Sequence, residues 1–229
     1  MKNVLDELLQ ARIPAEYVKA AVLQREVLEG MLARLEGIIL QPQIIVDVGC
    51  AMDGAPALLK KRYPDADIVA MDSSLADHSV DLVTASLVLP WCDELQPVLQ
   101  EWRRILRPDG LLMLTSLGPD TLRELHDLPF AFPHFMDMHT VGDLLTQVGF
   151  RGPVLDVDYF TLAYEDIKKC WHELQVTGMI AGNVDGVQLE KTEENYAVSY
   201  EIIFGHAWGS DLIRADSNGE VRIPISRLR

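Results

Sequence analysis

Short apolar runs alternate with amphipathic stretches along most of this chain, and that alternation predicts strands interleaved with helices. Residues 14–36 keep a helical period in Tyr17, Val18, Ala21, Val22, Val27, Leu28, Met31, Leu32 and Leu35. Pro14 suits the first turn of that helix, where its missing N–H is harmless. Residues 44–49 read as a buried strand, 55–63 as a helix and 67–72 as a second strand. A third strand is predicted over 79–86, entered through Asp77-His78-Ser79, and a helix over 95–106. Arg107-Pro108-Asp109-Gly110 places Pro and Gly where a turn favours them, and 111–116 follows as a buried strand. Gly118-Pro119-Asp120 opens a short helix through His126, and 129–136 is a Pro- and Phe-rich loop. Residues 140–148 form a helix stopped by Gly149. A strand over 154–162, a helix over 165–179, a polar loop over 181–195 and a last strand over 197–204 complete the pattern. Residues 210–229 lack a period and read as a tail. Apolar strands alternating with helices imply a mostly parallel sheet covered on both faces.

The stretch 44–54 organises the rest. A strand, a glycine-bearing loop and a helix N-terminus in that order let a nucleotide-like ligand approach the backbone. Asp72 stands 25 positions after Asp47, at the predicted end of the second strand. From there a carboxylate can accept hydrogen bonds from ribose hydroxyls.

Composition narrows the partners. The chain has 229 residues, 48% hydrophobic, enough for one α/β domain with a sizeable core. A net charge of −15 disfavours nonspecific nucleic-acid or anionic-membrane binding. Lys60-Lys61-Arg62 and Arg103-Arg104 with Arg107 read as solvated helix faces. Cys50, Cys92 and Cys170 are far apart and form no C-x-x-C pair, so neither a zinc site nor a disulfide framework is indicated. A reduced, cytoplasmic protein is expected. The acidic start of the chain does not read as a signal peptide, and no window reaches the apolar length of a bilayer span.

Five stretches carry a family resemblance. They are Asp47-Val48-Gly49-Cys50, Ser79-Val80-Asp81-Leu82-Val83 with Pro90-Trp91-Cys92, and Leu106-Arg107-Pro108-Asp109-Gly110. The other two are Gly118-Pro119-Asp120-Thr121-Leu122-Arg123-Glu124-Leu125, and Asp137-Met138-His139 with Tyr200-Glu201-Ile202-Ile203-Phe204-Gly205-His206-Ala207-Trp208. The chain resembles the S-adenosylmethionine (SAM)-dependent methyltransferases of early biotin synthesis, from about Leu23 to Gly209. The first three stretches are shared by many class I methyltransferases; the last two are more particular to the biotin-synthesis group and its complex I assembly relatives. The resemblance implies a Rossmann-like class I methyltransferase fold, SAM as cofactor, and methylation of the free carboxyl of malonyl-acyl-carrier protein. The implied division is a helical lid over 1–36, the methyltransferase domain over 37–209 and the tail.

Two departures from the family pattern stand out. The family's loop usually reads D-x-G-C-G-x-G, whereas Ala51 and Asp53 occupy its later glycine positions here and Gly54 comes one residue late. A Cβ at Ala51 restricts positive φ and close ligand approach, and Asp53 brings a negative charge toward the methionine carboxylate of SAM. Only eight residues separate Asp72 from Asp81. That span cannot hold the family's usual helix and strand as well as a return crossover, so one edge strand, and with it one wall of the adenine pocket, is expected to be missing.

Carboxyl methylation asks little of acid–base groups, because a malonyl carboxylate is already ionised at neutral pH. No catalytic triad and no metal are expected. For the cofactor the resemblance implies Asp47, Gly49, Cys50, Ala51 and Gly54 around the methionine half, Asp72 on the ribose, and Ser86 and Leu87 after the third strand. Trp91, His139 and Arg123 are the substrate-side candidates, and Tyr17 or Gln24-Arg25 lie near the ligand if residues 14–36 act as a lid. His134, Asp137 and His139 make a weak metal pattern. An acidic carrier protein or an acyl-CoA thioester would dock on cations, for which Arg103, Arg104, Arg107, Arg123 and Arg151 are candidates. Two other readings stay open: a homologue of weakened or lost activity acting as a binding or assembly module, and a nicotinamide oxidoreductase. The second lacks a G-x-G-x-x-G after the first strand.

Overall fold

The computed structural model describes residues 15–48, 54–192 and 194–210. Its strands are β1 (Ile44–Val48), β2 (Asp67–Ala70), β3 (Val80–Ala85), β4 (Leu106–Leu117), β5 (Arg151–Tyr164), β6 (Lys191–Thr192) and β7 (Asn195–Trp208). Its helices are α1 (Ala15–Ala20), α2 (Val22–Arg34), α3 (Ala55–Arg62), α4 (Leu95–Ile105), α5 (Met138–Val148) and α6 (Ile167–Val176). The sheet runs β2-β1-β3-β4-β7-β5, with β6 paired to β7. β2, β1, β3 and β4 are parallel neighbours, and β7 is antiparallel to both β4 and β5. Five of the six strands on that path therefore point one way, and their carboxyl ends share one edge.

Strand alternation sorts the core into two layers. Ile45, Leu82, Leu111, Met113, Ile202 and Phe204 face the layer built by α2, α3 and α6, which supply Leu28 and Met31, Leu59, and Trp171 and Leu174. Val46, Val83, Leu112, Leu114 and Ile203 face α4 and α5, which supply Leu99 and Trp102, and Val141 and Leu145. The result is a helix–sheet–helix sandwich, the expected α/β class.

Several element boundaries differ from the pattern reading. The single helix expected over 14–36 is interrupted at Ala21, whose ψ of 50° leaves the helical region. The turn expected at 107–110 is absorbed into β4 as an irregularity, since Val80 pairs with Leu106 and Leu82 already with Leu111. Local turn chemistry there yields to pairing on both sides, and Arg107 closes the outpocketing by an ion pair with Asp81. The helix expected over 118–126 shrinks to the 3-10 turn Arg123–Leu125. β2 stops at Ala70, so Asp72 lies beyond the strand. β5 and β7 are longer than predicted and form a ribbon that runs past the end of β4. Leu117 pairs with Ile202, while β7 begins seven residues earlier at Asn195. The tail from 211 onward lies outside the described residues.

α5 starts two residues before its predicted first residue, and the reason is its cap. The Asp137 carboxylate accepts from the amides of His139 and Thr140, and its second oxygen accepts from the Thr140 hydroxyl at 2.7 Å. That hydroxyl, then the amides, hold the carboxyl below its usual range. Such a group stabilises the fold above the ordinary carboxylate range, and the benefit is lost as pH falls through the depressed value. Asp137→Ala should therefore lower the unfolding midpoint by about 2–4 °C at pH 7. Thermal scans should show the gap to wild type closing as pH falls below the ordinary carboxylate range; a gap that stays constant with pH would refute the cap's ionic character.

Among the described residues no helix is long and apolar enough to cross a membrane. Nor do three or more His, Cys, Asp or Glu gather there as a metal site; Asp137, one of the three candidates, is committed to its cap.

Candidate cofactor and substrate site

The carboxyl ends of β1, β3 and β4 meet at one edge, and polar side chains are buried there among apolar ones. Asp47, next to last in β1, is only 7% exposed. The Thr84 hydroxyl of β3 donates to it at 2.8 Å, a contact set by the parallel pairing of these two residues. One turn further on, β3 ends and the backbone bends sharply: Leu87 takes a positive φ of 49°. Its amide is satisfied by the Thr115 hydroxyl of β4 at 2.9 Å. The bend leaves the Ser86 hydroxyl buried with no hydrogen-bond partner. A buried orphan hydroxyl costs about 1–3 kcal/mol, a cost that a polar group seated at this strand end would relieve.

Gly54 leads into α3 with a φ of 84°, the left-handed conformation that glycine tolerates. Its carbonyl accepts from the amides of Ala57 and Leu58. The expected cradle residues Gly49, Cys50 and Ala51 lie outside the described residues. Asp72 is exposed on the link between β2 and β3. Its two oxygens accept from the Ser74 amide and hydroxyl, each at 2.9 Å. The amide first, then the hydroxyl, hold the carboxyl below its usual range. Each oxygen keeps a lone pair, so the group can still receive ribose hydroxyls.

The substrate-side candidates are more dispersed. Trp91 closes the 3-10 turn Leu89–Trp91 and borders Gly178 after α6, where a Cβ would come within 3.5 Å of its indole nitrogen. Arg123 is at the same edge as Asp47, with its side chain 63% exposed. His139 is exposed in the first turn of α5, and what it offers the Asp137 cap is its backbone amide. Of the docking cations, Arg103 is buried, with its side chain on the Gly149 carbonyl and the Ser210 hydroxyl. Arg104 and Arg107 are taken up by Asp77 with Glu101 and by Asp81. Those three and Arg151 stand at the amino ends of the strands, opposite the ligand edge. Gln24, in α2, is 6% exposed with its amide oxygen unpartnered. It borders a cavity of about 10 Å³ that Tyr164, Glu173 and Tyr200 also line.

Pattern reading missed Thr84, Thr115 and Glu201, because their roles depend on pairing between distant strands. Glu201 joins the two most family-specific stretches. Its backbone carbonyl accepts from the Gly118 amide at 2.8 Å, and its side chain accepts from the Asp120 amide at 2.8 Å. Thr121 bonds both backbone groups of Glu201 through its hydroxyl. Glu124 in turn accepts from the amide and hydroxyl of Ser199. The 118–125 segment is thus laced onto β7 beside the ligand edge. Of the two described cysteines neither is a nucleophile at neutral pH: burial pushes the Cys92 thiol up to about 11 and the Cys170 thiol up to about 12.

Comparison with known proteins decides the family. A methyltransferase-domain family model matches residues 50–114. The malonyl-[acyl-carrier protein] O-methyltransferase of Methylovorus sp. is 33% identical over 253 aligned positions, covering 86% of this chain and 86% of that protein. The chain belongs to the malonyl-[acyl-carrier protein] O-methyltransferase family. The member from Gallionella capsiferriformans is also 33% identical, covering 86% of this chain and 88% of its own. A Coxiella burnetii member, at 32%, covers 93% and 90%. The 253 positions exceed the 229 residues of this chain. Members of the family therefore carry residues that have no counterpart here. The fold is shared with the crystal structure of the YcgJ protein of Bacillus subtilis, at a TM-score of 0.52 and 10% identity over 81% of this chain and 99% of that one.

Proposed function

We propose that this chain uses SAM to methylate the free carboxyl of a malonyl thioester borne by an acyl-carrier protein. One observation carries the cofactor half: a buried carboxylate, Asp47, and an orphaned buried hydroxyl, Ser86, at the ends of neighbouring strands. The residues fit the methionine end of SAM, which offers a cationic amino group and polar oxygens. Asp47 and Ser86 would take that end beside Gly54, and Asp72 the ribose. Bound there, SAM supplies a methyl group already activated on a sulfonium centre. The names of the family's curated members support the acceptor.

The chain's own work is then to hold and to screen. Asp47 anchors one end of the donor through charge, and Thr84 fixes the orientation of that carboxylate. Leu87, buried against the core, and the 118–125 segment shield the strand ends from water. Arg123, exposed at the same edge and 3.6 Å from Glu124, can turn from that contact to pair with the acceptor carboxylate without taking a proton from it. No general base is needed, because the nucleophile is a carboxylate from the start.

A second reading, a homologue that keeps the surface and loses the chemistry, is favoured by Ala51, Asp53 and the short β2–β3 link. Steady-state methyl transfer from labelled SAM separates the two. Malonyl-carrier protein should be labelled, malonyl-CoA more slowly, and acetyl-carrier protein not at all, since it lacks the free carboxyl. Equal labelling of the acetyl form would contradict carboxyl methylation, and binding of SAM with no transfer to either malonyl thioester would favour the second reading.

A further inference from the structure

We propose that the cofactor site is open around the purine, so that this chain discriminates weakly among substituents on the adenine base. The proposal rests on the SAM reading above and concerns the side of the site next to β2. Among the described residues β2 pairs only with β1 and ends the sheet. Asp67 and Ala70 are exposed, and Ile68 and Val69 are half-buried. A strand packed inside a parallel sheet would be covered on both faces and both edges. Among the described residues β2 carries one bare edge, on the side toward which a nucleotide at Asp72 would extend.

The link 71–79 does not replace that wall, because it is tied elsewhere. The Leu75 amide bonds the Asp72 carbonyl at 3.1 Å. The Ser79 hydroxyl bonds the Ala76 carbonyl at 2.7 Å. The His78 and Ser79 amides reach the carbonyls of Arg104 and Ile105 at 3.0 and 2.8 Å. The His78 ring sits 3.0 Å from the Leu106 carbonyl. The apolar members of the link, Met71 and Leu75, pack into the layer under α4. The link is therefore drawn along the α4 side of the sheet toward the amino ends of the strands.

Its carboxylates are committed away from the base as well, Asp77 to Arg104 and Asp72 to Ser74 and, on the SAM reading, to the ribose. Purine recognition calls for flat apolar contact on the ring faces and an acceptor for the exocyclic amine. The link's two carboxylates are Asp72, folded onto Ser74, and Asp77, paired with Arg104 at 2.5 Å. The side chains it exposes are otherwise Ser73, Ser74 and Ala76, which carry no ring, and His78, whose imidazole is held at the Leu106 carbonyl. Selectivity for the cofactor then rests on the methionine and ribose ends, with the base contributing little.

Calorimetric titration of the full chain tests this without requiring turnover. S-adenosylhomocysteine should be compared with its N6-benzyl derivative and with S-inosylhomocysteine, in which the amine is replaced by oxygen. Both changes should alter Kd by less than about threefold, whereas Asp72→Ala should weaken S-adenosylhomocysteine by roughly tenfold or more. A loss of roughly tenfold or more for either purine analogue would reveal a closed base pocket and overturn the proposal. If S-adenosylhomocysteine itself gives no binding heat or displacement, the SAM reading fails and this proposal falls with it. Matching unfolding midpoints for wild type and Asp72→Ala separate a binding defect from a folding one.

Discussion

Replacing Gly118 by alanine is expected to lower the unfolding midpoint by about 5–10 °C. An alanine Cβ there would lie 2.2 Å from Cδ and 2.6 Å from Cγ of Glu201, far inside van der Waals contact. Glu201 cannot simply turn aside. Its carboxylate holds the Asp120 amide, and the residue is 7% exposed between β7 and the 118–121 turn. Moving it costs that charge-assisted hydrogen bond and disturbs the lacing of 118–125 onto β7, together about 2–3 kcal/mol. Combining Gly118→Ala with Glu201→Ala removes the clash and leaves one unsatisfied amide, so the double variant should recover part of the midpoint. Differential scanning calorimetry reads both. A single variant that melts with wild type would mean that the turn accommodates a side chain and that Glu201 does not pin it.

The second large effect is on the cofactor. Asp47→Asn should weaken SAM or S-adenosylhomocysteine binding by about 10–100-fold, the value of one charge-assisted hydrogen bond to a cationic amino group. Asparagine keeps an acceptor for the Thr84 hydroxyl, so the midpoint should move far less than the affinity. Isothermal titration and thermal melts on the same sample give the two numbers. Equal affinity in wild type and variant would confine Asp47 to shaping the end of β1, with the ligand held elsewhere.

How much of this was legible beforehand follows from which interactions are local. The order of strands and helices, and the sandwich they build, come from apolar runs and helical periods read within a few residues. Glu201 is different. It sits in a quoted motif, yet its carboxylate reaches Asp120, and nothing nearby in the chain announces that pairing. Thr84 and Thr115 likewise read as ordinary strand residues until parallel register sets them against Asp47 and Leu87. The turn at Arg107-Pro108-Asp109-Gly110 differs from its sequence signal for the converse reason. Its local signal is sound, but pairing on either side carries β4 through it. The short span from Asp72 to Asp81 was the most informative distance in the sequence, since chain length alone excludes a further helix and strand. β2 duly stands at the sheet's edge. Asp137 shows how a motif can carry a local role: in the fold it caps α5, and His139 beside it contributes its backbone amide to that cap.

The central claim is that the edge formed by Asp47, Ser86 and the 118–125 segment delivers a methyl group to a carboxylate. A single-turnover experiment tests it most directly, with the chain in excess over malonyl-carrier protein and SAM at saturation, so that a weak cofactor site cannot conceal the chemistry. Mass spectrometry of the carrier protein should show one added methyl per malonyl group, and the acyl group released by transthioesterification to a small thiol should carry that methyl as an ester. An unmodified malonyl group after prolonged incubation, with SAM binding verified in the same sample, would contradict the claim and leave this chain a binding member of a methyltransferase family.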